Sequence, residues 1–203
     1  MKMVKVIGIT ASPKTHGNTE KLLESFLRGA EKEGAETEKI KLKDLLYTSC
    51  QGCNKCHRTG RCVLNDDLKI LLNRIMAEAD VLVLASPIYS MTITAEMKAF
   101  IDRGQYMWAR KFVLKNLSFD EEHLKTHKGV FVSTAGMNRK DVFDAAFPVV
   151  RAFFNDAGYE YTTNITAEGM DNFGTIEQRP DKLKEAEDAG REVVLSLKNA
   201  VKN

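Results

Sequence analysis

Long apolar runs, a surplus of either charge and scattered cysteines are all missing from this sequence. No stretch approaches the ~20 consecutive apolar residues of a membrane helix, so none is expected to span a bilayer. Thirty basic residues against twenty-eight acidic ones leave a net charge of +2, too small to imply nucleic acid or an anionic membrane as partner. In the first ten residues Lys5 interrupts a short apolar stretch, and Ser12-Pro13-Lys14 follows at once, which is too short for a signal peptide. The expectation is a cytoplasmic protein whose cysteines begin as thiols. There is no internal repeat and no low-complexity tract. What remains is an ordinary soluble composition, 43% hydrophobic and 29% charged over 203 residues, read as one domain over 1–203.

The periodicities alternate. Val4–Ile9 is a short β-branched run, followed by a turn and then an apolar stripe of Leu22, Leu23, Phe26, Leu27 and Ala30 that stops at Gly34. Glu36–Leu42 alternates as a strand. Leu68, Leu71, Leu72, Ile75, Met76 and Ala79 share one helical face after Asp66-Asp67. Val81–Ala85 is uniformly apolar, as a buried parallel strand should be, and a helix is expected over Thr94–Arg103. Val130–Thr134 and Tyr161–Thr166 read as further strands. Val142–Asp156 reads as a helix that Pro148 starts or kinks, and Leu183–Val201 as a closing helix buried through Ala186, Val193, Val194, Leu197 and Val201. Five strand–helix alternations predict a doubly wound parallel α/β sheet, with ligands at the carboxyl ends of its strands. A cysteine-rich loop at 47–65 and an insertion at 105–127 exceed what that fold needs, and long loops in compact proteins usually serve function.

The loop after the first strand carries Ser12, Thr15, Asn18 and Thr19 where a helix N-terminus turns its free N–H groups outward, a combination that holds phosphate. Gly17 allows close backbone approach, and Lys14 or His16 adds charge. Capping of the helix by Asn18 or Thr19 alone is the competing reading. The three glycines of a dinucleotide fingerprint are absent, as is a Walker A loop. A hydroxyl-rich loop suits a terminal phosphate monoester such as that of FMN. At the ends of the third and fourth strands lie two further loops, of which Ser86-Pro87-Ile88-Tyr89 offers a flat wall for a ring system. Ser133-Thr134-Ala135-Gly136 leaves room and donors for the ring's other side, where a flavin accumulates charge on reduction. A turn of Pro87 and Tyr89 packed on the following helix is the plainer alternative. Met91 and Trp108 are core or interface residues as readily as flavin neighbours, and carry no catalytic assignment.

All four cysteines lie in one stretch, Cys50, Cys53, Cys56 and Cys62, spaced C-x2-C-x2-C-x5-C. Three at successive spacings of three wrap a cubane that a fourth closes, as in bacterial ferredoxin runs, although the last gap is longer here and no proline follows. Structural zinc prefers two separated knuckles. The reading favoured is an iron–sulfur cluster, with zinc, free thiols and a switchable disulfide left open. His57 is read as a solvated loop residue.

Ala11-Ser12-Pro13-Lys14 with Gly17-Asn18-Thr19, the compact cysteine motif, and Ser86-Pro87-Ile88-Tyr89 running on to Lys98-Ala99-Phe100-Ile101-Asp102-Arg103 together resemble the iron–sulfur flavoproteins of the NADPH-dependent FMN reductase group. The resemblance implies a flavodoxin-like five-stranded sheet of order 2-1-3-4-5 with helices on both faces. It implies one FMN per chain and a [4Fe-4S] cluster on Cys50, Cys53, Cys56 and Cys62, in a homodimer or homotetramer. By the same resemblance Ser12, Pro13, Lys14, Gly17, Asn18 and Thr19 hold the phosphate, and Pro87, Ile88, Tyr89, Thr134, Ala135 and Gly136 contact the ring.

The expected function is electron transfer from a ferredoxin-like donor through the cluster to FMN, and on to an acceptor such as dioxygen, peroxide or a quinone. No acid–base residue is required, because the flavin carries the chemistry. An NAD(P)H-dependent flavin, quinone or nitro-compound reductase with a structural cysteine loop is the alternative. A redox- or metal-sensing binding protein is a third.

Overall fold

Alternation along the strands decides which helix packs where. In the computed structural model, which describes residues 3–200, β1 (Lys5–Thr10) sends Val6 to one face and Ile7 and Ile9 to the other. β3 (Val81–Ala85) does the same with Val81 and Val83 against Leu82 and Leu84. Because both faces are covered, these strands are apolar throughout, as central parallel strands must be.

With β2 (Glu36–Lys41), β6 (Lys128–Thr134) and β7 (Glu160–Ala167) they form a five-stranded sheet in the order β2-β1-β3-β6-β7, every pair parallel. Counting sheet strands alone, this is the flavodoxin-like order 2-1-3-4-5. The order reverses between β1 and β3, and the crevice at such a switch point is where this architecture places ligands.

One face is covered by α1 (Asn18–Lys32) and α9 (Pro180–Ala200). Leu22, Leu23, Phe26, Leu27 and Ala30 meet Ala186, Val193, Val194 and Leu197 over Val6, Val83 and Val130. The two helices approach at glycines: a Cβ on Gly29 would sit 1.9 Å from the Glu187 carbonyl oxygen, and one on Gly190 2.0 Å from that of Phe26. Val201, expected at the end of this stripe, lies outside the described residues. The other face carries α3 (Asp67–Glu78), α4 (Ala95–Arg103), α5 (Gln105–Trp108) and α7 (Phe147–Ala157), packed through Leu68, Leu72, Ile75, Phe100, Met107 and Phe154. Asp66 caps α3 by accepting from Lys69 N, as its position before the apolar stripe predicted.

Two elements differ from the sequence reading. The helix expected from Val142 begins at Phe147, and Val142 and Phe143 lie in a 3-10 turn at Lys140–Phe143. Pro148 has no N–H to give and fits only the first turn, so the helix starts there. Pro87-Ile88-Tyr89 is not a bare turn: β4 (Ile88–Tyr89) pairs with β5 (Thr92–Ile93) as a small antiparallel hairpin. Its two central residues, Ser90 and Met91, have φ of 48° and 70°, as a tight hairpin demands. Three short helices complete the chain: α2 (Cys56–Thr59), α6 (Glu121–Thr126) and α8 (Met170–Phe173). No helix among the described residues is long and apolar enough to cross a membrane.

Candidate functional site

Two cavities account for most of the residues singled out in the sequence. The first, of about 170 Å3, lies at the carboxyl ends of β1, β3 and β6. Eleven of the twelve residues expected to hold FMN line it: Ser12, Lys14, Gly17, Asn18 and Thr19 from the first loop, Pro87, Ile88 and Tyr89 from the second, and Thr134, Ala135 and Gly136 from the third. Pro13, the twelfth, is exposed and does not reach the wall.

The loops are braced against one another. Ala11 N donates to Ala85 O at 2.8 Å, Ser133 Oγ to Ser86 O at 2.7 Å, and Ala135 N to Ala167 O at 2.9 Å. The Thr94 hydroxyl, which caps α4, donates to Ala11 O at 3.2 Å. Thr19 and Thr134 share a hydrogen bond of 2.6 Å between their hydroxyls, joining the first loop to the third. Asn18 neither caps its helix nor stands free: its amide clamps residues 174–176, donating to Gly174 O and accepting from Ile176 N.

The first loop's turn is fixed from beneath by Glu20. This buried carboxylate accepts from His16 N at 2.8 Å, holding His16 at a φ of 54°, and pairs with Lys39 and Lys41, each at 2.6 Å. Burial opposes its charge, but the two lysines and the His16 amide prevail and bring its pKa down to about 2. His16, Glu20 and Glu24 bring metal-ligand atoms together, but the lysines already neutralise the carboxylates.

The cavity fits a phosphate-bearing flavin by its chemistry. The first turn of α1 presents N–H groups without intrahelical acceptors, the Ser12 hydroxyl is close by, and Gly17 has no side chain. A Cβ on Gly136 would lie 2.5 Å from the Asp171 carboxylate, so only glycine leaves this wall open. Met170, Asp171 and Gly174 also line the cavity and were missed in the sequence. They follow β7, and the rule that ligands sit at carboxyl strand ends pointed there too.

The second cavity, of about 130 Å3, is lined by all four cysteines together with Arg103, Gln105 and Tyr106. Gly52 and Asn54, with φ of 61° and 53°, turn the chain on either side of Cys53, and α2 begins at Cys56. No disulfide joins any two of the four cysteines. Burial pushes the Cys56 thiol up, and the proximity of Cys50, Cys53 and Cys62 pushes it further, a conflict that a bound cation would reverse.

Zinc at 2.3 Å from four sulfurs would set them about 3.8 Å apart. Among the described residues no three of these cysteines bring their sulfurs within 4.8 Å of one another. Arg103 supplies a counter-charge beside them. It is 1% exposed, makes a bidentate pair with Asp66 at 2.6 and 2.8 Å, and donates to Thr48 O at 2.7 Å. Its Nε is buried without a partner, and Cys62 is near enough to favour the guanidinium's charge. An orphaned buried N–H is costly unless something accepts from it; cluster sulfur is such an acceptor.

His57, expected in solvent, instead has a buried Nε2 without a partner and a ring 5.7 Å from that of Trp108. Trp108 also contacts Phe112, so it belongs to the cysteine side of the molecule. Neither it nor Met91 lines the first cavity.

Comparison with known proteins identifies the family of the chain. The model of the family described as NADPH-dependent FMN reductase matches residues 4–146. An iron–sulfur flavoprotein of Archaeoglobus fulgidus is 41% identical over 100 residues, covering 49% of this chain and 45% of that protein; the chain thus spans about half the length of this relative. An FMN-dependent NADH:quinone oxidoreductase of Coprothermobacter proteolyticus is 28% identical over 203 residues, 94% of this chain and 100% of that protein. Among solved structures, the NAD(P)H:quinone oxidoreductase from Methanothermobacter marburgensis superposes with a TM-score of 0.70 at 20% identity, covering 95% of this chain and 98% of the other. That likeness concerns the fold.

Proposed function

This chain belongs to the NADPH-dependent FMN reductase family and is a flavin-dependent oxidoreductase, and from that premise we propose that it couples FMN at the three strand ends to a [4Fe-4S] cluster on Cys50, Cys53, Cys56 and Cys62. In this reading the chain passes electrons from a ferredoxin-like donor through the cluster to FMN, and on to a small acceptor such as dioxygen, peroxide or a quinone. FMN supplies two-electron storage and the cluster one-electron exchange. We further read residues 1–203 as one cytoplasmic flavodoxin-like unit that assembles as a homodimer or homotetramer, with 47–65 as the cluster loop and 105–127 as an insertion.

The protein's own residues bind, orient and shield. Ser12, Gly17 and the first turn of α1 hold the phosphate, with Lys14 supplying positive charge and Thr19 fixing the loop through Thr134. Pro87, Ile88 and Tyr89 form one wall for the ring. Ala135 and Gly136 form the other, with the Asp171 carboxylate available to accept an N–H from the ring's edge. Arg103, held flat by Asp66, brings its positive charge beside Cys62 and would offset the negative charge of four thiolates.

The observation that carries this reading is the convergence of four thiols on one cavity walled by a buried arginine with an unused donor. The full-length similarity to an FMN-dependent NADH:quinone oxidoreductase supports a second reading, in which NAD(P)H reduces the flavin directly and the cysteine loop is structural. Anaerobic purification with iron, sulfide, zinc and FMN counted per chain separates them. About four irons with one FMN, and flavin bleaching by reduced ferredoxin, are expected. Zinc or no metal, with rapid bleaching by NADPH, would favour the reductase.

A further inference from the structure

A third cavity shares Cys62 and Tyr106 with the thiol-lined one but differs from it in size and sign. Its volume is about 540 Å3, within the range of small-molecule sites. It lies between α3, the end of the cysteine loop, and the π-helical turn Ala109–Val113 that follows α5.

Arg61, Lys69 and Arg110 stand in its wall, and no aspartate or glutamate does. None of the three forms a salt bridge among the described residues, whereas Lys39, Arg74 and Arg103 are all paired with carboxylates. Like charges around one cavity repel, so the arrangement gains most when an anion sits among them.

The neutral groups add donors. Tyr106 donates its hydroxyl to Asn73 Oδ1 at 3.1 Å, which occupies that amide's acceptor and leaves its NH2 to give; Asn116 contributes a second amide. The placement of Arg110 is built in: Gly60, at a φ of 67°, leaves space that a Cβ would fill 3.2 Å from Arg110 Cγ. The arginine stem therefore packs over the cysteine loop next to Cys62.

We propose that this cavity binds an organic molecule bearing two or three negative charges on phosphate or carboxylate oxygens, held by Arg61, Lys69 and Arg110 against the wall that contains Cys62. A single inorganic phosphate would leave most of the volume empty, so the ligand is an extended molecule with its charged end at the arginines. The site is separate from the cradle at the strand ends and does not depend on what the cysteines hold.

Calorimetric titration of the FMN-saturated protein, with its phosphate cradle filled, tests the assignment. Pyrophosphate and citrate serve as probes at an ionic strength held constant with sodium chloride. Saturable binding of one probe per chain is expected, and the preferred probe distinguishes phosphate from carboxylate chemistry. The Lys69→Gln, Arg110→Gln double variant should bind at least tenfold more weakly with its FMN content unchanged. Arg61→Gln, on an exposed loop, should weaken binding severalfold and serves if the double variant does not fold. No saturable binding of either probe, or equal binding by wild type and variants, would overturn the proposal. Because the probes are read independently of iron, binding to a preparation without iron would leave the proposal standing.

Discussion

The cradle at the strand ends and the cysteine loop are built on opposite plans. In the cradle every loop is tied to a strand or to its neighbour, through Thr19 with Thr134, Ser133 with Ser86 and Glu20 with two lysines. The first half of the cysteine loop is fastened only where it begins. Leu46 and Thr48 donate to Asp67 and Asp66, and between Ser49 and Cys53 no backbone–backbone hydrogen bond joins it to the body of the protein among the described residues. A site of the first kind selects its ligand by fit, whereas one of the second kind gains structure from its ligand.

The sharpest way to break the comparison is to remove one site and watch the other. Cys56→Ala should lower bound iron by more than tenfold while FMN per chain stays constant. Gly136→Val, pressed against Asp171, should weaken FMN at least tenfold and leave iron in place. Loss of both groups from either variant would mean that the two sites are not independent.

The next largest effect concerns the Arg103–Asp66 pair beside the cysteine loop. Arg103→Met leaves the half-buried Asp66 carboxylate with only its Thr48 and Lys69 amide donors, and losing hydrogen bonds to a charged group costs about 1–3 kcal/mol, readable by urea unfolding. Arg103→Lys keeps the charge but loses the planar donor. It should lower the cluster's reduction potential, with about 59 mV marking a tenfold change in the one-electron equilibrium.

Acid sharpens the contrast from the side of the cradle. The Glu20 carboxyl titrates near 2 in the folded chain against an ordinary 4.5. Its stabilisation is therefore complete above about pH 4.5 and is lost as pH falls toward 2, by on the order of 3 kcal/mol. Glu20→Gln should flatten that part of the stability–pH curve. The smallest change is Thr134→Val, which removes one buried hydrogen bond and should cost about 1 kcal/mol, visible in unfolding and in slightly weaker FMN binding.

The strand ends were legible because three independent loops each carried a signal, and the sheet order brings them together. Val81–Ala85 was read to the residue, since a buried central strand has no polar position to blur its ends. The start of α7 was misread because Val142 and Phe143 are buried whether they lie in a helix or a 3-10 turn, so hydrophobicity alone does not separate them. Asp171 was missed because a single carboxylate after a strand has no local pattern. Its role comes from Gly136, 35 residues earlier in the chain. The environment of His57 depends on Trp108 in another segment, and no spacing within the cysteine motif encodes that contact.

Asp66 has a consequence for the order of assembly. Because its carboxylate ties Thr48 to the start of α3 and to Arg103, the ends of the cysteine segment meet when the chain folds. Closing a loop of this length carries an entropy cost of about 2–3 kcal/mol, and it falls on folding instead of on metal capture. If the thiols hold a cluster, it can then be loaded late, on a finished protein, and a chain stripped of it by oxidation would not have to unfold to be repaired.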